Sequence, residues 1–191
     1  MTAPQFRANW TKLALKRVGR LDEPHRSTVL TLVGDTSLRA VREAGVLGWL
    51  AADHHHKVAA AIDQALGATS ARHFWRDLML LSFERSLLRP LVEGGLRVFG
   101  RTPRSVLRLA PQAYSLIARH AGVLSITDGR ARGSVRVAFD ALPSLLRSRA
   151  FLELCHGNCL AVLRFLDSDG EVEVDRAGLS AGSFHLDVVT R

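Results

Sequence analysis

The order of segments in the final third of the chain constrains its fold more than any other feature. Val123 to Thr127 and Ser134 to Phe139 alternate apolar and polar side chains with the period of two that strands require, and the turn between them holds Asp128-Gly129. A long apolar stretch over roughly 143–166 reads as a helix, and Glu171 to Asp175 and Ser183 to Val189 then repeat the strand alternation. Strand–strand–helix–strand–strand in this order predicts one antiparallel sheet of four strands with a helix packed on a face. The expected fold class is α+β. A helical N-terminal half, residues 1–121, packs on the sheet of a β-β-α-β-β unit, residues 122–191, and the two form a single domain.

The chain has 191 residues, enough for one domain around a sizeable core. Hydrophobic residues make up 47% and charged residues 23%, a balance expected of a globular fold rather than a disordered chain. No apolar run reaches the roughly 18–20 residues of a membrane span. The first residues, Met1 to Phe6, hold no apolar signal segment, so the expected location is the cytoplasm. Two cysteines exclude a disulfide framework.

The helical half carries clear start and stop signals. Residues 5–20 read as an amphipathic helix with Phe6, Trp10 and Leu13 on one side and basic residues on the other. Such a helix covers its own domain or lies on a membrane surface. Ser27 to Ala44 suggests two short helical pieces, with Asp35, Thr36 and Ser37 as rival caps of the second. Asp53 is placed to cap a helix from His54 to Leu66, which Gly67 ends. Ala71 to Arg89 forms the next helix, with Phe74, Leu78, Leu81 and Leu88 along one stripe; Pro90 restarts it as far as Phe99. Thr102-Pro103 opens another, and Pro111 opens the last before Gly122.

Catalytic motifs are missing. No G-x-S-x-G, Walker loop or G-x-G-x-x-G occurs, which disfavours an enzyme. His54-His55-His56 are adjacent, so a helix spreads them about 100° apart and they cannot chelate one ion together; they read as a polar first turn. Cys155 and Cys159 share a helix face with Leu152, Val162, Leu163 and Leu166. Free cysteines on such a face are commonly core. A metal site would need two further ligands, for which His156 and His185 are the candidates. Gly157 lies inside the same helix, where it either admits another backbone or ligand or marks a kink.

The net charge is +8, unevenly placed. Arg97, Arg101, Arg104 and Arg108 recur at spacings of 4, 3 and 4, in a stretch to Arg119 that holds no acid; six acids follow from Asp167. One unbroken helix would align the four arginines as a basic surface, but Gly100 and Thr102-Pro103 interrupt it. An acidic protein partner fits this surface. Nucleic acid is disfavoured, because no aromatic side chains are interleaved with the arginines and no recognition helix stands out.

The stretch from Phe74 to Pro103, together with Gly48-Trp49-Leu50, Gly122, Leu142-Pro143 and the final strand pair, resembles an uncharacterised bacterial protein family without assigned activity. The wider architecture is similar to heme-NO-binding domains, to four-vinyl-reductase-type domains and to small subunits of vesicle-tethering TRAPP complexes. That resemblance implies a binding or scaffold module for heme, a hydrophobic small molecule or an acyl chain. The chain departs from the heme-NO-binding motif Tyr-x-Ser-x-Arg, having Tyr114-Ser115 instead, and no cysteine follows Cys159 as in the vinyl-reductase type. The expectation is a non-enzymatic regulatory or signalling module that holds a hydrophobic small molecule between the helical half and the sheet. Phe74, Trp75, Phe83, Cys155 and Cys159 are the candidate lining, and each also fits ordinary core. The alternatives are a homodimerising interaction module without ligand, and a heme or metal sensor.

Overall fold

The computed structural model describes residues 2–85, 89–131 and 133–190. The chain opens with a short strand, β1 (Gln5–Arg7), and turns directly into α1 (Ala8–Val18). Helix α2 (His25–Glu43) follows, then β2 (Trp49–Ala51), α3 (Ala52–Leu66), α4 (Ala68–Arg85) and α5 (Arg89–Phe99). Two shorter helices, α6 (Pro103–Leu107) and α7 (Ala110–Ile117), lead into β3 (Ala118–Arg119). The hairpin β4 (Val123–Asp128) and β5 (Val135–Asp140), helix α8 (Arg149–Phe165), and strands β6 (Gly170–Asp175) and β7 (Phe184–Thr190) complete the chain.

The C-terminal strands pair as their alternation requires. Their order is β4-β5-β7-β6, antiparallel throughout. Val135, Val137 and Phe139 of β5 and Phe184, Leu186 and Val188 of β7 are buried on the core face. Arg136 and Asp187, adjacent in register on the other face, form a two-pronged ion pair at 2.8 and 2.7 Å. The helix between the strand pairs starts at Arg149 rather than Pro143. Pro143 instead leads a 3-10 turn over Ser144–Leu146, and Ser148 then caps α8 by accepting the Phe151 amide at 3.2 Å.

The helical half departs from expectation at its strands. Residues 5–7 do not begin a helix but form the centre of a second sheet, ordered β2-β1-β3. Phe6 pairs with Leu50 on one side and Ala118 on the other, tying three distant points of the chain together. Strands of two or three residues are too short to show a period. Because α3 starts straight out of β2 at Ala52, Asp53 falls inside its first turn and pairs with Lys57 at 2.9 Å instead of capping. The expected break in residues 27–44 is present: Gly34 adopts φ +74° within α2, a conformation that glycine takes without strain. Thr102 caps α6 as its spacing predicts, accepting the Ser105 amide at 3.1 Å. Leu88 of the expected α4 stripe lies outside the described residues. Among the described residues no helix is long and apolar enough to cross a membrane.

Helix α8 is buried along most of its length because it meets the sheet on one side and α4 and α3 on the other. Gly157 is the point of closest approach. A Cβ there would lie 2.9 Å from the Arg76 amide nitrogen and from Trp75 Cβ, and closer still to the Arg72 carbonyl. Of the two sequence readings of Gly157, the structure has the close approach of a second backbone.

Candidate functional site

The face of α8 turned away from α4 borders a cavity. Phe151, Leu154, Cys155, Asn158, Cys159 and Val162, spaced three and four apart along one helix face, line a cavity of about 110 Å³. Leu124 of β4 and Val137 and Phe139 of β5 bring the sheet to it. Val106 and Leu107 of α6 and Ala113, Tyr114 and Ile117 of α7 form a further wall. Phe6 of β1, Trp10 of α1, His55 of α3 and Phe83 of α4 reach it from the rest of the N-terminal half. The small sheet is what brings Phe6 there, since its pairing sets that side chain between α3 and α8. The Phe6 ring lies 4.4 Å from the His55 ring and 6.4 Å from Phe151.

Among the described residues no lining side chain is an Asp, Glu, Lys or Arg. The polar groups are few and neutral. His55 is 1% exposed, and burial, followed by the neighbouring His56, lowers its pKa to about 3. Its Nδ1 is 2.9 Å from Thr11 Oγ1, while its Nε2 has no hydrogen-bond partner among the described residues. Burial likewise pushes the Cys159 thiol up to about 12 and Cys155 well above its ordinary value, so both remain protonated. The Tyr114 hydroxyl donates to the Ala121 carbonyl at 2.8 Å, and burial keeps it protonated. Asn158 Oδ1 is buried without a partner among the described residues.

Of the residues named for a pocket, Phe83, Cys155 and Cys159 line this cavity. Phe74 and Trp75 are buried beside it in the core, where their rings pack edge to face at 5.4 Å. The four residues named for a metal are not gathered. His156 lies on the α4-facing side of α8, where burial and then Arg72 lower its pKa to about 4. Glu153 Oε2 is 4.0 Å from His156 Nδ1 but is taken by Arg72 at 2.8 Å, so the imidazole stays neutral. His185 alternates with the core-facing Phe184 and Leu186 and so points to the opposite face of the sheet from the two cysteines. Among the described residues no group of three or more His, Cys, Asp or Glu side chains is placed to hold a metal ion. Arg97, Arg101, Arg104 and Arg108 are all exposed; Gly100, at φ +82°, breaks the row between α5 and α6, and Arg104 pairs with Asp128.

His55 is the residue that the motif analysis misread. The three histidines are not one polar turn: His54 Nδ1 bonds Ser37 Oγ at 3.1 Å, whereas His55 is enclosed. The signal was its spacing, because His55, Val58, Ala59 and Ile62 fall on a single face and all are buried. Phe6 shared an apolar spacing with Trp10 and Leu13, but its place depends on strand pairing, and that of Tyr114 on the packing of α7.

No protein-family model matches the chain, and no curated protein does. Solved structures do. An unliganded Fe(II) H-NOX protein from K. algicida, in a mutant form, superposes with a TM-score of 0.65 over 97% of this chain and 96% of its own, at 11% identity. The fold resembles that of H-NOX domains. A mutant H-NOX from T. tengcongensis gives a TM-score of 0.57 at 13% identity, covering 97% of both chains. An oxygen-binding H-NOX domain related to soluble guanylate cyclases gives 0.57 at 14%, covering 95% of this chain and 92% of its own. The likeness therefore covers most of the chain, well beyond the β-β-α-β-β unit.

Proposed function

We propose that the chain is a ligand-binding module of H-NOX-like fold, with a regulatory or signalling role, that holds a small hydrophobic molecule between its helical half and its sheet. The carrying observation is the mostly apolar cavity along one face of α8, with no charged side chain among its described lining. Interiors are close-packed by default, and large apolar side chains collapse into a void unless something holds it open. An uncharged apolar lining with a few neutral polar groups is the usual make-up of a small-molecule site. The resemblance of Phe74 to Pro103 to an uncharacterised bacterial family agrees with a fold kept while the sequence has drifted far from the H-NOX neighbours.

Two of those neighbours are described as Fe(II) and oxygen-binding H-NOX proteins. The residues of this cavity do not fit a heme. Its volume, about 110 Å³, is below the ~150 Å³ of an engineered cavity that holds one benzene, and a porphyrin is several times larger than benzene. Among the described residues no lysine or arginine lines it to meet a propionate. The ligand class supported is therefore smaller and metal-free.

Native mass spectrometry of the freshly purified chain, compared with its denatured mass, tests the reading. The expected result is an adduct of small mass that is lost on denaturation, or uptake of an added apolar probe such as benzene. Cys159→Trp, which fills the cavity, abolishes that uptake while the circular dichroism spectrum stays native. Uptake unchanged in the folded variant overturns the site. An adduct with the mass and absorbance of heme overturns the ligand class.

A further inference from the structure

The small sheet has an outer face that plays no part in the cavity. Phe6 faces the core, so Gln5 and Arg7 on either side of it face outward, together with their register partners Trp49, Ala51 and Arg119. Two guanidinium groups lie over the Trp49 ring, that of Arg7 at 4.1 Å and that of Arg119 at 4.3 Å from its centroid. Arg7 donates to the carbonyls of Leu116 and Leu47, and Arg119 donates to the Gln5 side chain; among the described residues neither cation has a carboxylate partner. Directly before Trp49 the chain makes a tight turn, Gly45-Val46-Leu47-Gly48, closed by the Gly48 amide on the Gly45 carbonyl at 2.8 Å. Val46 and Leu47 at its apex are 57% and 72% exposed.

We propose that this turn is a membrane-docking tip: Val46 and Leu47 enter the acyl layer of an anionic bilayer, while Trp49 and the guanidinium groups of Arg7 and Arg119 meet its phosphates. Tight turns favour Gly, Asn, Asp, Ser and Pro, and they gain nothing from two large aliphatic side chains left in water. Single exposed aliphatic residues are ordinary, but these two are adjacent at one apex and adjoin an indole. The order of the chemistry is that of a bilayer surface. Aliphatic carbon stands at the apex, and next to it an indole, which favours the boundary between hydrocarbon and headgroups. Guanidinium groups, which favour phosphate, come behind, with Arg7 fixed at the base of the turn by the Leu47 carbonyl. The local charge also fits an anionic surface. Arg42 lies in the last turn of α2, and Lys12 donates to its carbonyl at 3.1 Å, which adds two cations to Arg7 and Arg119. Against them stand Glu43, beside Arg42, and Asp53, which Lys57 already pairs at 2.9 Å. A convex tip of two side chains suits a deformable hydrocarbon layer. A stable protein contact instead buries about 800 Å² on each partner over a broad, fitted surface, of which two aliphatic side chains supply a small part.

Vesicles of phosphatidylcholine, with and without about one quarter phosphatidylserine, are the probe, mixed with the full chain and sedimented. The chain is expected to bind the phosphatidylserine vesicles about tenfold more tightly than the neutral ones. Leu47→Asp, at a position exposed enough to leave the fold intact, lowers that binding about tenfold. Arg119→Gln lowers it about fivefold, the contribution of one basic side chain near an anionic surface. The wild-type chain supplies a reading that depends on no variant. Trp10 and Trp75 are buried and Trp49 is half-buried, so a blue shift of tryptophan emission on adding phosphatidylserine vesicles reports the entry of Trp49 into the interface.

Failure of the wild-type chain to sediment with phosphatidylserine vesicles overturns the docking tip. Binding that both variants leave unchanged, or that leaves the emission unmoved, overturns it as well, because another basic face then holds the lipid. A chain that ignores vesicles but runs as a dimer by gel filtration, and as a monomer in Leu47→Asp, overturns the lipid assignment and gives the tip to a second copy of the chain.

Discussion

The two faces of α8 are packed to opposite standards. Toward α4, the helix approaches so closely that Gly157 has no room for a Cβ, and Glu153 reaches across to Arg72. Toward the sheet and α7, the same helix borders an empty volume lined by Cys155, Cys159 and their neighbours. The chain, the solvent and the helix are the same on both sides, so the difference lies in the residues facing α8. On one side a backbone ridge fits against a glycine. On the other, rings from β1, β5 and α7 prop one another, with Tyr114 edge-on to Phe139 at 5.7 Å and Phe139 edge-on to Phe151 at 5.9 Å. A network of aromatic contacts resists collapse, because moving one ring costs contacts at the next. A void beside a tightly packed face thus reads as a property of the fold rather than of loose packing in general.

Substitutions on the two faces should therefore behave differently. The largest effect is expected at Gly157→Ala. In an open helix this change gains about 1 kcal/mol; here the added methyl forces α4 away and costs about 3 kcal/mol, read as a lowered urea midpoint at unchanged slope. A rise in stability would break the comparison at its tight side. Glu153→Ala comes next. It leaves Arg72 without its partner, and because the guanidinium is partly exposed the expected loss is about 2 kcal/mol, below the full cost of orphaning a buried charge. Restored stability in the double variant Arg72→Met, Glu153→Met would show that the loss came from the unpaired cation.

Acid probes one histidine on each face. His55 beside the cavity and His156 beside α4 have their pKa lowered to about 3 and about 4, by burial first and then by His56 and Arg72 respectively. The unfolded chain takes up these protons near pH 6.5, while the folded chain takes them up only near the lowered values. Between the two the unfolded state holds more protons, so stability falls as pH drops from about 6.5 toward 4, by about 1.4 kcal/mol per pH unit for each histidine. His156→Leu should flatten part of this slope. The smallest effect on stability is expected at Cys159→Leu. Extra methylenes enter existing space, so the midpoint changes by less than about 1 kcal/mol while uptake of benzene is reduced. A loss as large as that of Gly157→Ala would mean that the cavity side is as full as the other.

What could be read in advance follows the length of the elements. Strands β4 to β7 span six or seven residues and show their alternation openly, and Thr102 announces the start of α6 through side-chain chemistry next to it in sequence. The strands of the small sheet span two or three residues, which is less than a pattern needs, so residues 5–7 read as the start of the helix that follows them. The site divides in the same way. Cys155 and Cys159 lie on a stripe visible in their own helix, whereas Phe83 lies off the stripe of Phe74, Leu78 and Leu81 in α4. Phe6 enters the cavity only because Leu50 and Ala118 pair around it, and His55 looked polar because its neighbours are histidines.

Local pattern thus determined the β-β-α-β-β unit, the glycine break in α2 and the apolar face of α8, because propensity, capping and periodicity act between residues a few positions apart. Only the tertiary structure decided that one side of α8 would close on Gly157 and the other remain hollow, and that His55 Nε2 would be buried without a partner among the described residues. A void and an unsatisfied nitrogen are defined by atoms that surround them, and in this chain those atoms come from segments as far apart as β1, α3, α7 and α8.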